Sequence, residues 1–310
     1  MKRLVNIKGM DNKTWLAYRR MGITGSDTGI VLGLSKHKSV LELYKDKRNE
    51  IPIEEKETNF TLWGHNLEDA IRKHFEKVNG VKVTSPNFIF QSDEYPFMIG
   101  NFDGIVTELD GTKAILEIKT SIEFKDSIYQ QGNIPPEYYS QMMHYMALSN
   151  FQFCYLACLV GGNKYYQFKI ERDDEYISWL IEREKTFWNC VQEGVLPEVD
   201  SSKATSKYLG EEYAESVKDE ILLPIEAGNI ADEYLAIDET IKSLTKEKDL
   251  LSNKLKLLLG EHEVGIIGER KIKWTPVSQN RLDTEKLKQE LGESYNDYTK
   301  VSTYRKLSVA

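Results

Sequence analysis

The stretch FMIGNFDGIVTELDGTKAILEIKT contains three residues, Asp103, Glu117 and Lys119, of the types that handle phosphate chemistry together. Glu117 and Lys119 are separated by one apolar residue, Ile118, in a run with strand character. Strand side chains alternate faces, so the carboxylate and the ammonium point one way and Ile118 points into the core. Asp103 ends the preceding apolar run, and Asp110-Gly111 reads as a hairpin turn that brings the chain back beside it. Two carboxylates and one ammonium on one patch fit phosphodiester hydrolysis. The carboxylates would hold one or two Mg²⁺ ions, with Mn²⁺ expected to substitute, and so lower the pKa of a bound water. The ammonium would position that water and stabilise charge on the phosphorane. The pattern is short, however, and an Asp followed by Glu-x-Lys also describes an ordinary solvated strand face.

The flanking elements must place these groups. A helical pattern near Trp15–Arg19 leads into the turn Gly22–Asp27 and a second helix, TGIVLGL, with Ser26 or Thr24 as natural N-cap. SVLELYKDKRN reads as a helix, residues 50–59 as a charged loop, and 62–78 as a helix bearing Glu68 and closed by Asn79-Gly80. The period then shifts to two through VKVTS, NFIFQ, FMIGNFDGIVTEL and AILEIKT. Pro135-Pro136 precedes a helix carrying Gln141. Two strand-like runs, QFCYLACLV and KYYQFKI, are joined by Gly161-Gly162, and a helix ending near Gly194 closes the region. These elements predict an α/β domain over 1–198 with a mixed central sheet flanked by helices.

Residues 199–310 differ in character. After a polar linker near 198–207, apolar residues from Ile230 to Leu258 recur at alternating spacings of four and three, interrupted at Lys248. That is a coiled-coil seam on a long helix over about 228–260. Such a helix needs a partner, and an intramolecular hairpin is the favoured expectation over an oligomer contact or a partner dock. GIIGERKIKWTPV and TYRKLSV suggest a small β element around a short helix.

A net charge of −8 over 310 residues does not exclude a nucleic-acid partner, because charge distribution governs binding and a metal-collecting site is itself acidic. No apolar run is long enough to span a bilayer. The N-terminus lacks the apolar stretch of a signal peptide, so a cytoplasmic protein is expected. Three cysteines do not make a disulfide framework, and Cys154 and Cys158 read as small core residues. The five histidines show no zinc-type spacing, and no Ser-His-Asp signature or phosphate-cradling loop is present. His144, three residues after Gln141, reads as a packed histidine, since Mg²⁺ prefers oxygen ligands.

Taken in order, WLAYRRMGITGSDTGIVLGLS, WGHNLEDAI, NFDGIV, LEIKTS, PPEYYSQMMHYM and IERDDEYISWLIEREKTFW resemble the YqaJ-like viral recombinases. These are relatives of phage lambda exonuclease within the PD-(D/E)XK nuclease superfamily. The resemblance covers about the first 195 residues and implies a restriction-endonuclease-like core. It implies Asp103, Glu117 and the Ile118 carbonyl as metal ligands, Lys119 acting on the attacking water, Glu68 as an additional acidic group, and Gln141 orienting the water or the scissile strand. From the residues alone, Glu68 and Gln141 are also read as exposed helix groups. Arg19 and Ser26 match positions that grip the 5′-phosphate of the degraded strand. Arg20 is the competing arginine, placed on the DNA backbone. Asn101 stands where Ser or Thr is common two residues before the first Asp. The hairpin between Asp103 and Glu117 is longer than in lambda exonuclease, and the region after 200 has no counterpart there.

The resemblance therefore implies a Mg²⁺-dependent 5′→3′ exonuclease on double-stranded DNA ends, leaving 3′ single strands for a RecT-type annealing protein. It also implies a toroidal homotrimer and a phage or prophage protein acting in the bacterial host. The alternatives are a structure- or site-specific endonuclease of the same superfamily and a non-catalytic DNA-end-binding recombination factor.

Overall fold

Strand β1 (Lys2–Asn6) is followed by helices α1 (Asn12–Arg19), α2 (Gly25–Val31) and α3 (Val40–Lys47). Each helix starts where a short polar side chain satisfies the first turn. Asp11 and Ser39 accept from the amides of Thr14 and Glu42 at 2.9 and 3.1 Å. Helix α4 (Asn59–Asn79) ends at Gly80, whose φ of 67° suits a residue without a Cβ. Strands β2 (Lys82–Thr84), β3 (Phe88–Gln91), β4 (Ile99–Gly100), β5 (Gly104–Thr107) and β6 (Lys113–Ser121) follow. Then come α5 (Asp126–Gln130), α6 (Pro136–Ser149), β7 (Phe153–Val160), β8 (Lys164–Glu171), α7 (Asp174–Glu193) and α8 (Lys203–Glu212). The computed structural model describes residues 1–53 and 58–309; four residues of the expected charged loop, 54–57, lie outside it.

The central sheet has the order β2-β5-β6-β7-β8, with β6 and β7 parallel and the other pairs antiparallel. It is mixed and flanked by helices, as the sequence predicts. Strand β6 is its middle member, and Ala114 through Ile118 are all buried, as expected for a strand covered on both faces. Ile71 and Phe75 of α4 pack with Ala114, Leu116 and Ile118 on one face. Met142, Met143 and Met146 of α6 pack with Ile115, Cys154 and Leu156 on the other. The alternation of β6 therefore aims Glu117 and Lys119 toward the α6 side.

The stretch FMIGNFDGIVTEL, expected as one strand, is two. Strand β4 belongs to a separate sheet of order β1-β3-β4, and β5 joins the central sheet. Phe102 drives the break. It is buried, stacked on Phe90 at 5.2 Å and edge-on to Tyr145 at 5.1 Å, so the chain turns inward between the two sheets. Asp103 follows at the sheet margin. Strand β1 is a further element that the sequence pattern does not announce.

By contact the chain forms two units, residues 1–212 and 213–310. The boundary expected at 198 moves because the supposed linker contains α8. Asp200 Oδ1 accepts from Ser202 N at 2.7 Å and Thr205 Oγ1 at 2.8 Å, and Ala204 and Thr205 are buried. The second unit holds α9 (Glu226–Leu259), the antiparallel strands β9 (Val264–Ile267) and β10 (Arg270–Lys273), and α10 (Thr284–Leu291). The long helix expected over about 228–260 is present as α9, 34 residues without a break. The favoured intramolecular hairpin is corrected, because its seam residues are exposed and no described segment covers them. Among the described residues, no helix is long and apolar enough to cross a membrane.

Candidate active site

The margin between β5 and β6 brings Asp103 and Glu117 together. Asp103 Oδ2 accepts the Ile118 amide at 2.7 Å. The N–H and C=O of one strand residue point toward the same neighbour, so the Ile118 carbonyl is aimed at the edge where Asp103 sits. Glu117 is 3% exposed. Its Oε1 accepts from Lys119 Nζ at 2.6 Å and from Gln141 Nε2 at 2.7 Å. Gln141 also donates to the Tyr145 hydroxyl at 3.0 Å, and Lys119 Nζ lies 5.1 Å from the centre of the Tyr138 ring. Gln141 is buried, so the reading of it as a solvent-facing helix amide is wrong.

The electrostatics of the site suit a divalent cation. Burial and then the Glu68 charge push the Asp103 carboxyl up to about 6, and burial and then Asp103 push Glu117 up to about 7. Burial pushes Lys119 down, but Glu117 and Asp103 outweigh it and hold the ammonium above its usual value. Glu117 Oε2 is buried with no partner among the described residues, an uncommon and costly condition for a carboxylate oxygen. An orphaned hard oxygen beside a second carboxylate and a backbone carbonyl is a donor set for Mg²⁺ or Mn²⁺. The set is small: among the described residues no three His, Cys, Asp or Glu side chains converge as a metal cluster. Glu68 is half-buried and paired with Arg72. Burial raises its carboxyl, and the Glu117 charge adds to that. It is near enough to feel the pair without joining it.

The predicted phosphate residues separate cleanly. Arg19 Nη2 donates to Thr24 Oγ1 at 3.0 Å and to Ser26 Oγ at 2.5 Å, and its guanidinium lies 4.5 Å from the Trp15 ring. Thr24 is the N-cap, with Asp27 Oδ2 accepting from its amide at 2.9 Å and its hydroxyl at 2.8 Å. Ser26 is left exposed beside Arg19. Arg20 is a structural residue, which corrects its assignment to the DNA backbone. It is 8% exposed and committed to Asp46 at 2.6 Å, to Asn49 at 3.2 Å, and to the carbonyls of Ile51 and Pro52. Asn101 is half-buried, two residues before Asp103. His144 is packed, as expected. Its Nε2 donates to the Ile99 carbonyl at 3.0 Å, and its Nδ1 is 2.8 Å from Glu184 Oε1, both residues being fully buried.

Several functional neighbours carry no sequence signal of their own. Tyr145 links the two clusters, since it touches Gln141 and closes on α2 at Gly25. A Cβ built on Gly25 would lie 2.4 Å from the Tyr145 ring and 3.0 Å from Gln141 Cγ, so only glycine lets α2 approach. Behind Arg19, the buried Lys47 Nζ donates to the Arg19 carbonyl at 2.7 Å and to Asp27 Oδ2 at 2.6 Å. The separation of 20 positions between Asp27 and Lys47 hides that pair from any local reading.

Fold and site together describe an α/β protein with two paired carboxylates and a lysine on the central strand of a mixed sheet. Residues 14–152 match the model of the YqaJ-like viral recombinase domain. The chain is 36% identical over 305 residues to the uncharacterized protein YqaJ of Bacillus subtilis (strain 168), covering 97% of this chain and 94% of that one. The chain belongs to the YqaJ-like viral recombinase family. Among solved structures it is similar to an alkaline exonuclease from Laribacter hongkongensis, with 20% identity, 66% of this chain and 98% of that one covered, and a TM-score of 0.49. It is also similar to a phage related exonuclease from Haemophilus somnus 129PT, with 16% identity, 58% and 99% covered, and a TM-score of 0.40.

Proposed function

We propose that this chain is a Mg²⁺-dependent exonuclease that degrades double-stranded DNA from its ends in the 5′→3′ direction, leaving 3′ single-stranded overhangs for recombination by strand annealing. The observation that carries the reading is the convergence of Asp103, Glu117 and Lys119 around an unpartnered buried carboxylate oxygen. Asp103, Glu117 and the Ile118 carbonyl would hold the metal, with Glu68 as a reserve carboxylate acting through water. Bound there, a divalent ion would polarise the scissile phosphate and lower the pKa of the attacking water.

The chain's own groups do the rest. The Lys119 ammonium holds the water's oxygen in line and offsets charge growing on the phosphate. Gln141 fixes the Glu117 carboxylate and has Tyr145 behind it, so the carboxylate keeps one orientation. Arg19 and Ser26, with Asn101 as a further polar contact near the cleaved linkage, bind the terminal phosphate and so select the 5′ end. An Arg with two hydroxyls around it is a suitable anion clamp.

The family's description as a viral recombinase supports a role in DNA recombination. The proposed setting is the cytoplasm of a phage-bearing bacterium, with a RecT-type annealing protein receiving the product strand. A ring-shaped homotrimer around the duplex would explain how an acidic chain stays on DNA, because encirclement replaces tight phosphate contact. The test is digestion of a linear duplex labelled at the 5′ or the 3′ end, alongside a closed circle. Early release of 5′ label with the circle intact supports the reading. Early release of 3′ label reverses the polarity, and a cut circle makes the protein an endonuclease.

A further inference from the structure

Helix α9 presents an apolar seam that no described residue covers. From Ile230 to Leu258 the four-three spacing keeps one stripe aligned for the length of the helix, and its residues are exposed, 70% at Ile230 and 80% at Leu258. A contiguous stripe of this kind marks an interaction surface, and a 3.5-residue repeat fits another helix with the same repeat. That narrows the occupant to a helix; the charges narrow it further.

The charges along α9 are segregated. Residues 226–241 carry five carboxylates and no Lys or Arg, whereas 242–259 carry five lysines and two carboxylates. The helix macrodipole favours such a bias only within the first and last turns, and this one runs through the whole helix. A second α9 lying parallel would set acidic half against acidic half. It would also place Lys248 opposite its own copy in the apolar seam and Glu233 beside Asp238 of that copy, the flanking pair that sets orientation in parallel coils. A second α9 lying antiparallel sets each acidic half beside a basic one. It also matches Lys248 with an apolar position of the copy, where its stem packs and its ammonium reaches water.

From the seam and its charge polarity we infer that α9 is a self-association element, forming an antiparallel two-stranded coiled coil with the α9 of a second copy of this chain. The contact is two-fold, so copies assemble in even numbers whatever ring the nuclease domains form. The inference does not depend on the nuclease reading.

Sedimentation equilibrium of the full chain gives the first result. The expected mass is two or six times the 35.8 kDa of one chain. Placing charges in the seam with Ile237→Asp and Leu251→Asp should weaken association roughly 100-fold or more and halve that mass, with DNA digestion unchanged. Orientation is read from Ile230→Cys in a Cys190→Ser background under oxidation. In the antiparallel pair the two introduced sulfurs lie about 40 Å apart, at opposite ends of the coil, and no disulfide-linked dimer forms. A one-copy or three-copy native mass, a mass unmoved by the double substitution, or efficient disulfide cross-linking of the Ile230→Cys variant would overturn the proposal.

Discussion

Replacing Glu117 with Gln is expected to stabilise the protein while inactivating it. Burial and the Asp103 charge hold the Glu117 carboxyl at about 7 instead of 4.5. A carboxyl with a raised folded-state value binds its proton more tightly when folded. The contribution of this group to stability is therefore greatest below about pH 4.5 and falls as the pH rises through 7. At about 1.4 kcal/mol per pH unit, that shift costs about 3 kcal/mol once the group is ionised, and local relaxation trims it to about 2–3 kcal/mol. Gln keeps the shape and an acceptor for Gln141 and Lys119, and removes the charge. In urea unfolding with chelator at pH 8, Glu117→Gln should be about 2–3 kcal/mol more stable than the native protein, the gap closing to under about 1 kcal/mol at pH 5. Mg²⁺ should then stabilise the native protein and leave the variant unmoved. A variant no more stable at pH 8, or a gap independent of pH, would refute the account of the buried pair.

Lys47→Met leaves the Asp27 carboxylate buried without its partner and should cost about 3–5 kcal/mol in chemical denaturation. Burial pushes Asp27 up, but Lys47 and Arg19 together hold its carboxyl well below the usual range. The pair's contribution is thus present above about pH 4 and lost as the pH falls further, so the variant should lack that acid limb. Burial holds Lys47 below its usual value too, which puts the pair near break-even, and Asp27→Asn with Lys47→Met should recover most of the loss. Arg19→Ala should abolish a preference for 5′-phosphorylated over 5′-hydroxyl ends while digestion of the hydroxyl end persists; a native protein without that preference would remove the phosphate clamp. Gly25→Ala should cost about 1–3 kcal/mol by driving into Tyr145, and should slow digestion because Gln141 rests on the same ring.

What the sequence disclosed follows from how local each signal is. Glu117 and Lys119 were legible because a strand's period of two fixes their common face, and Ile118 between them reports which face is core. The break at Phe102 was not legible, because FMIGNFDGIVTEL is apolar enough for one strand and only its packing on Phe90 and Tyr145 divides it. Arg19 and Arg20 are neighbours about 100° apart on a helix. Nothing local says which one faces Ser26 and which is consumed by Asp46, some 26 residues on. The seam of α9 is plain in its spacing, yet spacing alone does not name a partner, and no described segment folds back onto it. The Asp27–Lys47 and Glu184–His144 pairs join elements 20 and 40 residues apart, beyond any periodic signal.

The central claim is most directly tested by nucleotide release from a linear 5′-phosphorylated duplex, comparing the native protein with Asp103→Asn and Lys119→Ala in Mg²⁺ and in chelator. The account predicts acid-soluble nucleotides from the native protein in Mg²⁺ only, with each substitution reducing the rate at least about 100-fold, the scale of losing one electrostatic contact to the reacting phosphate. Release that persists in chelator, or that survives both substitutions, would contradict it.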